Sequence, residues 1–513
     1  MGRESIKSVG IISFFTLISR VLGLVREMVL AAFLGTGFYS DAFSLAFALP
    51  NFFRRLGAEG TIVNAFLPRF FEIKKRDGEE RALRYSSDFF GVSFFILFVL
   101  TLICVSLAPF LVDYLSVVGF QDEPMRLTVL LTQIMSLYIV LIGAVTVFQG
   151  ILNSFSVFWV SSLTPILLNV SIIGLGVWLA PVLENPAIGF AIGVVVGGIL
   201  QLVWHLPHLR RVGFRMRKRI HPCDPYVKKT LGVVFPTIFG VGIYHINVVV
   251  NSVVASTLSE GAVSSLRFSH RILEFTMGIL IIPVSTVIMP GLSKLFVDNR
   301  PDEVRRKLQT ALRLVTFITL PATVGLLIIN QQLVDSLFGR GAFDANSISL
   351  TRDALSFHII GLVFISWNRL LLDGFQAARR IGAAVRAAGI IFFVNLILAL
   401  LLSRLMGHRG VALSFTIAQI VQTVVLVLYL SRISINRFLD SDLLKSVRNT
   451  FLLSIFMAFT LWILKRGVLC FTFSSMADMA LLVSAGVSLY LFPAYLVGSR
   501  EFNEIKQIIF RDR

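Results

Sequence analysis

The stretch Ser19–Phe70 reads SRVLGLVREMVLAAFLGTGFYSDAFSLAFALPNFFRRLGAEGTIVNAFLPRF, two long apolar runs with charged residues inside them rather than at their edges. A helical crossing of the bilayer takes about 20 apolar residues, and an arginine at its centre costs roughly 2.5–3.5 kcal/mol. Arg20, Arg26 and Glu27 stand in the first run. Asp41, Arg54, Arg55 and Glu59 stand in or beside the second, which also carries Pro50, Gly57 and Gly60. Charges so placed need a partner, water or a ligand, and a helix bent by proline and glycine needs protein or a wet cavity against its freed backbone groups. Gly23 shares a helical face with Arg20 and Glu27 and leaves room there for close approach or a bend. The plain structural alternative is an internal pair with Glu27, or an arginine snorkelling to the interface.

The rest of the chain has the same character. Of 513 residues 56% are hydrophobic and only 15% charged, against roughly a quarter charged in a soluble domain, so the chain reads as an all-α polytopic membrane protein. Its net charge of +18 could suggest nucleic acid, but basic cytoplasmic loops give the same imbalance. Apolar segments fall near 10–34, 41–66, 88–114, 127–152, 158–181, 187–205, 231–257, 263–293, 310–330, 353–376, 384–403, 410–431, 449–464 and 478–498, fourteen expected helices. Basic linkers at Lys74–Arg84, Arg210–Arg219, Lys294–Lys307, Arg379–Arg386 and Arg432–Arg448, with the tail to Arg513, share one parity. By the positive-inside rule both termini are therefore expected in the cytoplasm. The apolar start resembles a signal peptide, but Arg20 and Arg26 follow at once and favour an uncleaved first span. Cys104, Cys223 and Cys470 form neither a metal motif nor a disulfide framework.

A faint repeat appears near an offset of 222 residues: Leu111–Leu115 (LVDYL) matches Leu333–Leu337 (LVDSL), and Pro68 matches Pro290. Asn169 and Asn395 pair at a slightly larger shift. An offset of six spans keeps orientation, which predicts two parallel six-helix lobes around a central cavity. The expected division is an N-lobe at 1–207, a basic linker at 208–230, a C-lobe at 231–432, and a terminal helix pair with a basic tail at 433–513.

The eighth span carries LRFSHRILEF, with Arg267, Arg271 and Glu274 at i, i+4 and i+7 on one face. Two guanidinium groups on one face repel unless an anion lies between them. Arginines in the first and eighth spans thus point to an anionic ligand, and guanidinium suits phosphate oxygens best. His245, Asn247, Asn251, Asn169, Asn395 and the run Trp367–Arg369 with Asp373 read mainly as polar contacts that glue helices together. His205 and His208 read as interfacial residues. No Walker, HExxH, GxSxG or Asp-rich motif is present, so no catalytic residue and no metal ligand is assigned.

Over essentially its whole length the chain resembles the MurJ (MviN) family of lipid II flippases. The resemblance is carried by Ser19–Phe70 and by LPHLRR (Leu206–Arg211), SSLRFSHRILEF (Ser264–Phe275), IMPGLSKLF (Ile288–Phe296) and SLFGRGAF (Ser336–Phe343). It implies the fold of the multidrug/oligosaccharidyl-lipid/polysaccharide exporter superfamily, with a cationic cavity for the diphosphate and sugar-peptide head group and a groove beside the last two helices for the lipid tail. Carried over by position, the head-group residues are Arg20, Arg26, Arg54, Arg55 and Arg271, with Asp41 in the second helix. Glu27 stands where Asp is usual and keeps the charge; Thr276 stands where proline is common. Asn251 and Asn395 offer no carboxylate pair, so a sodium site is not carried over.

The expectation is a flippase in a bacterial inner membrane that moves undecaprenyl-linked peptidoglycan precursor outward by alternating access, without covalent chemistry or a cofactor. Coupling to the membrane potential or to a monovalent ion is left open. Lipid II and membrane lipids are the expected partners, cell-wall synthesis enzymes are candidates, and nucleic acid is not expected. The competing readings are an exporter of another polyprenyl-linked oligosaccharide or a small molecule, a membrane-embedded transferase, and a scaffold for cell-wall enzymes.

Overall fold

A computed structural model describes residues 3–58, 61–115, 122–217, 219–298, 300–378, 380–431, 440–468 and 475–510. Glu59, Gly60, Lys218, Arg379, Arg432, Arg437, Cys470, Arg511 and Arg513 lie outside the described residues. The chain divides into two compact units, Met1–Ser264 with Gly341–Phe343, and Ser265–Arg340 with Asp344–Arg513.

The first unit holds α1 (Arg3–Leu34), α2 (Phe38–Ala58), α3 (Thr61–Asp77), α4 (Glu79–Leu115), α5 (Asp122–Ser154), α6 (Phe158–Leu179), α7 (Pro186–Arg211) and α8 (Pro225–Ser256). Helix α5 is its axis, packing on α2, α3, α4, α6 and α7, while α8 packs on α2, α3 and α4. Helices α6 and α7 lie closest together: a Cβ on Gly193 would stand 2.8 Å from Ile172 Cα. Small residues let backbones approach where lipid supplies no hydrophobic drive between helices. One core gathers Leu30, Phe43, Phe47, Tyr138 and Phe190; a second gathers Phe66, Phe70, Tyr85, Phe89 and Phe148. Prolines at the first helical position and side-chain caps start the helices. Asn185 accepts from Ala187 N ahead of α7, and Asp224 accepts from Tyr226 N ahead of α8.

The second unit holds most of α9 (Ala262–Leu280), then α10 (Ile282–Val297), α11 (Pro301–Phe338), α12 (Ala345–Ile360), α13 (Leu362–Ala377), α14 (Ile381–Met406), α15 (His408–Ser431), α16 (Ser441–Val468), α17 (Ser475–Leu496) and α18 (Arg500–Phe510). Here α11 is the axis, packing on α10, α12, α13, α16, α17 and α18. The short α18 seats Phe502 and Ile505 against Phe317, Met457 and Tyr490, and its Glu501 accepts from Ser446.

The element order repeats. Helices α1 and α8 are both 32 residues long and begin and end 222 residues apart. Pro68 in α3 and Pro290 in α10 fall in equivalent short helices, and α4 and α11 are the two long ones, of 37 and 38 residues. At 1.5 Å per residue each reaches about 55 Å, well beyond a hydrocarbon core of about 30 Å.

Among the described residues nine helices are long and apolar enough to cross a membrane: α4 to α7, α11, and α14 to α17. Helices α12 and α13 make a tenth as one span bent by 47°. The bend falls at Gly361, where a Cβ would stand 3.0 Å from Thr416 Oγ1. There Gly361 N turns to His358 O, and the hydroxyl of Thr416 donates to Phe357 O, so the carbonyl left over at the break is satisfied by α15. Two other expected spans are also divided. The 41–66 segment is shared by α2 and α3, and 263–293 parts at Ile281, where Pro283 opens α10. Helices α1, α2 and α9 are absent from the nine, and they carry the charges singled out above.

Candidate functional site

In the first unit Arg26 is buried on α1, 7% exposed, and three groups surround its guanidinium. Its NH2 donates to Glu27 Oε1 at 2.5 Å, its NH1 donates to Asn169 Oδ1 of α6 at 3.1 Å, and the group lies 5.9 Å from the centre of the Phe47 ring on α2. Asn169 turns its amide back on α1, donating from Nδ2 to Ser19 O at 3.3 Å. One asparagine thus fixes both the arginine and the backbone seven residues before it. The Nε of Arg26 is buried without a hydrogen-bond partner, a donor that costs roughly 1–3 kcal/mol while it stays unmet. Arg20 is half-buried on the same helix, and Gly23 lies between them in a helix that runs unbroken from Arg3 to Leu34.

Asp41 has a different place from the arginines. Buried in the first turn of α2, it accepts Gly261 N at 2.8 Å and Ser264 N at 2.7 Å, and so caps the start of α9. Glu260 returns the contact by accepting Phe38 N at 2.8 Å at the start of α2. Two helix N-termini, each carrying partial positive charge, are thereby capped by each other's carboxylates. Beside them Ala342 N donates to Ala32 O at 2.8 Å. Gly35 and Gly341, at φ +60° and +61°, flank this bond, and a Cβ on either would fall within 2.4 Å of the opposing carbonyl oxygen. Arg54 and Arg55 are half-buried near the end of α2, and Arg54 donates twice to Asn51 Oδ1, at 3.0 and 2.8 Å. Pro50 sits inside α2, which continues past it to Ala58, with Gly57 in the last turn.

In the second unit Arg271 and Glu274 meet at 3.4 Å on α9, and Arg267 stands one turn earlier on the same face. Glu274 also faces His270, its Oε1 3.6 Å from Nε2. Behind them the buried His358 of α12 holds Ser269 Oγ at 2.7 Å. The remaining polar residues tie helices together: Trp367 donates to Thr316, Asn368 donates to Gln419 and accepts from Thr423, and Ser285 donates to Asp373. Among the described residues no group of three or more His, Cys, Asp or Glu is placed to hold a metal ion.

Sequence reasoning missed three partners. Asn169 looked like helix glue, and nothing in its neighbourhood marks it as the acceptor for an arginine 143 residues away. The Asp41 cap likewise joins positions 220 and 223 residues apart. His270 had a readable signal, its i, i+4 spacing to Glu274.

A model of the family described as lipid II flippase MurJ matches residues 30–482. A protein named lipid II flippase MurJ from Burkholderia cenocepacia is 33% identical over 426 residues, covering 82% of this chain and 83% of that protein. A probable lipid II flippase MurJ from Treponema pallidum is 34% identical over 438 residues, covering 83% and 82%. Among solved structures, a lipid II flippase MurJ in an inward closed conformation superposes with a TM-score of 0.81 at 24% identity, covering 98% of this chain and 99% of that one. An inward-facing multidrug resistance MATE transporter of the MOP superfamily gives 0.66 at 15% identity, covering 82% and 95%. The all-helical membrane fold expected for the chain is the fold of these proteins, with nine or ten of the fourteen expected spans meeting the length and hydropathy requirement among the described residues.

Proposed function

We propose, because the chain belongs to the lipid II flippase MurJ family, that it carries lipid II from the inner to the outer leaflet of the bacterial inner membrane for peptidoglycan synthesis. The substrate is an undecaprenyl-diphosphate-linked disaccharide-peptide, and the transport route is alternating access between two lobes at 1–207 and 231–432. The observation that carries the head-group reading is Arg26: a buried guanidinium on α1 whose Nε–H has no acceptor. A diphosphate oxygen is the acceptor that site is built to take, since guanidinium and phosphate pair through short, charge-assisted hydrogen bonds. Arg20, Arg54, Arg55 and Arg271 are the further cationic contacts, with Glu27 and Glu274 balancing charge between visits of the substrate and Arg267 a supporting residue on the same face of α9. Glu59 is assigned to the same balance, and Pro50, Gly23, Gly57 and Gly60 to bending. The tail rides outside the lobes against α16 and α17, which, like α14, keep most of their apolar residues on the outside of the protein.

No bond is made or broken in this cycle. Both termini face the cytoplasm, on the side of the basic loops. Return of an empty cationic cavity is favoured by a negative interior, at about 2.3 kcal/mol per elementary charge per 100 mV, and the membrane potential or a monovalent ion is the proposed driving partner. Cell-wall synthesis enzymes would receive the product at the outer leaflet.

The test is leaflet accessibility of lipid II in cells depleted of their own flippase and complemented with this chain. Wild type is expected to restore outer-leaflet lipid II, and Arg271→Ala at matched membrane levels is expected to fail. Rescue by both would overturn the arginine mechanism; a well-expressed wild type that rescues nothing would overturn lipid II as substrate.

A further inference from the structure

Helices α11, α16 and α17 share a seam with two apolar clusters along it. One joins Phe317, Met457 and Tyr490, the other Ile329, Leu461 and Leu482, so α11 and α16 run one way along the seam and α17 the other. Polar residues close both ends. At the end nearer the basic linker Lys294–Lys307, Arg313 of α11 meets Glu504 of α18 at 3.6 Å. At the far end Gln332, Lys465 and Asp478 each stand about one turn beyond a member of the second cluster, on three different helices. The stretch of α11 from Arg313 to Gln332 covers about 28 Å, close to a hydrocarbon core of about 30 Å. The far station therefore falls at head-group depth, in the outer leaflet on the orientation proposed above.

This station is unfinished. The ammonium of Lys465 donates to Ile328 O at 2.5 Å and has further hydrogens to place. Gln332 Oε1 and Asp478 Oδ1 are buried with no hydrogen-bond partner among the described residues. A metal cation would be repelled by Lys465, and a simple anion would be repelled by Asp478 and bring no donor for the two acceptors. A group that carries both a phosphate and a primary ammonium answers all three residues: its phosphate accepts from Lys465, and its ammonium donates to Gln332 and Asp478. Leu464 and Leu481, 41% and 48% exposed beside the station, offer a surface to lipid chains.

We propose that Gln332, Lys465 and Asp478 form a binding site for the phosphoethanolamine head group of a membrane phospholipid. The site uses none of the residues assigned to lipid II, so the two readings stand or fall separately; only the choice of leaflet rests on the proposed orientation.

The full-length protein, delipidated in a neutral detergent, provides the test, with dioctanoyl lipids that share their chains and differ in head group. Native mass spectrometry and the thermal unfolding midpoint should both show saturable binding of phosphatidylethanolamine. Phosphatidylcholine, whose nitrogen has no hydrogen to give, should bind about tenfold more weakly, or about 1.4 kcal/mol. Phosphatidylglycerol, with no cation for Asp478, should also be weaker. Lys465→Met should weaken the ethanolamine and choline lipids alike, and Asp478→Asn should bring them level. If either variant fails to fold, the head-group series on the wild type decides alone. Equal affinity for the ethanolamine lipid and either of the others, or an unchanged preference in Asp478→Asn, would overturn the proposal. Chain-free O-phosphoethanolamine binding as tightly as the lipid would overturn the membrane as its source.

Discussion

The two arginine stations differ in how their charge is held. In the first unit Arg26 is clamped by a carboxylate at 2.5 Å on its own helix and an amide at 3.1 Å on another, under an aromatic ring. In the second unit Glu274 stands 3.4 Å from Arg271 and divides itself with His270, and all three lie on one helix. The repeat makes the contrast sharper, because Asn169 on α6 and Asn395 on α14 hold similar places in it. Asn169 bonds a buried cation across helices, while Asn395 accepts a neutral hydroxyl from Ser414 at 3.4 Å. The first station therefore ties α1 to α6 through its cation, whereas the Arg271–Glu274–His270 contacts run along α9.

That difference can be broken in order of size. Arg26→Met should have the largest effect, because it leaves Glu27 buried without its cation, at a cost of roughly 3–5 kcal/mol. Its thermal unfolding midpoint in detergent should drop steeply, and adding Glu27→Gln should restore the midpoint without restoring transport. If Arg26→Met unfolds at the wild-type temperature, the clamp is not structural. Next, Asn169→Ala should destabilise by about 1.5–3 kcal/mol, the range for a hydrogen bond to a charged group. The smallest effect is expected from Thr416→Val, about 0.5–1.5 kcal/mol for a neutral hydroxyl bond. Equal losses for Asn169→Ala and Thr416→Val in denaturant titrations would erase the distinction between a charged and a neutral bond across helices.

The helices could be read in advance because each crossing must satisfy its own backbone, and that need writes itself into a local run of apolar residues. The repeat was visible for the same reason, as a spacing. The bend at Gly361 was not, since its cause is a hydroxyl on another helix, Thr416, that rescues Phe357 O. The arginines and Asp41 stood out as charges in apolar surroundings, but what they hold did not: Asn169 and the start of α9 are remote in sequence, and no periodicity points from one to the other. Local order leaves a local trace, and a contact between distant residues leaves one only where both ends are unusual.

The contact between Ala32 and Ala342 is made by main chain to main chain. Neither alanine's side chain takes part, so a mutational screen would pass over the two residues that form the bond. It would register instead at Gly35 and Gly341, which form no part of it, because there any side chain would collide with the opposing carbonyl. A map of sensitive positions would thus outline this junction by its neighbours and leave its centre blank.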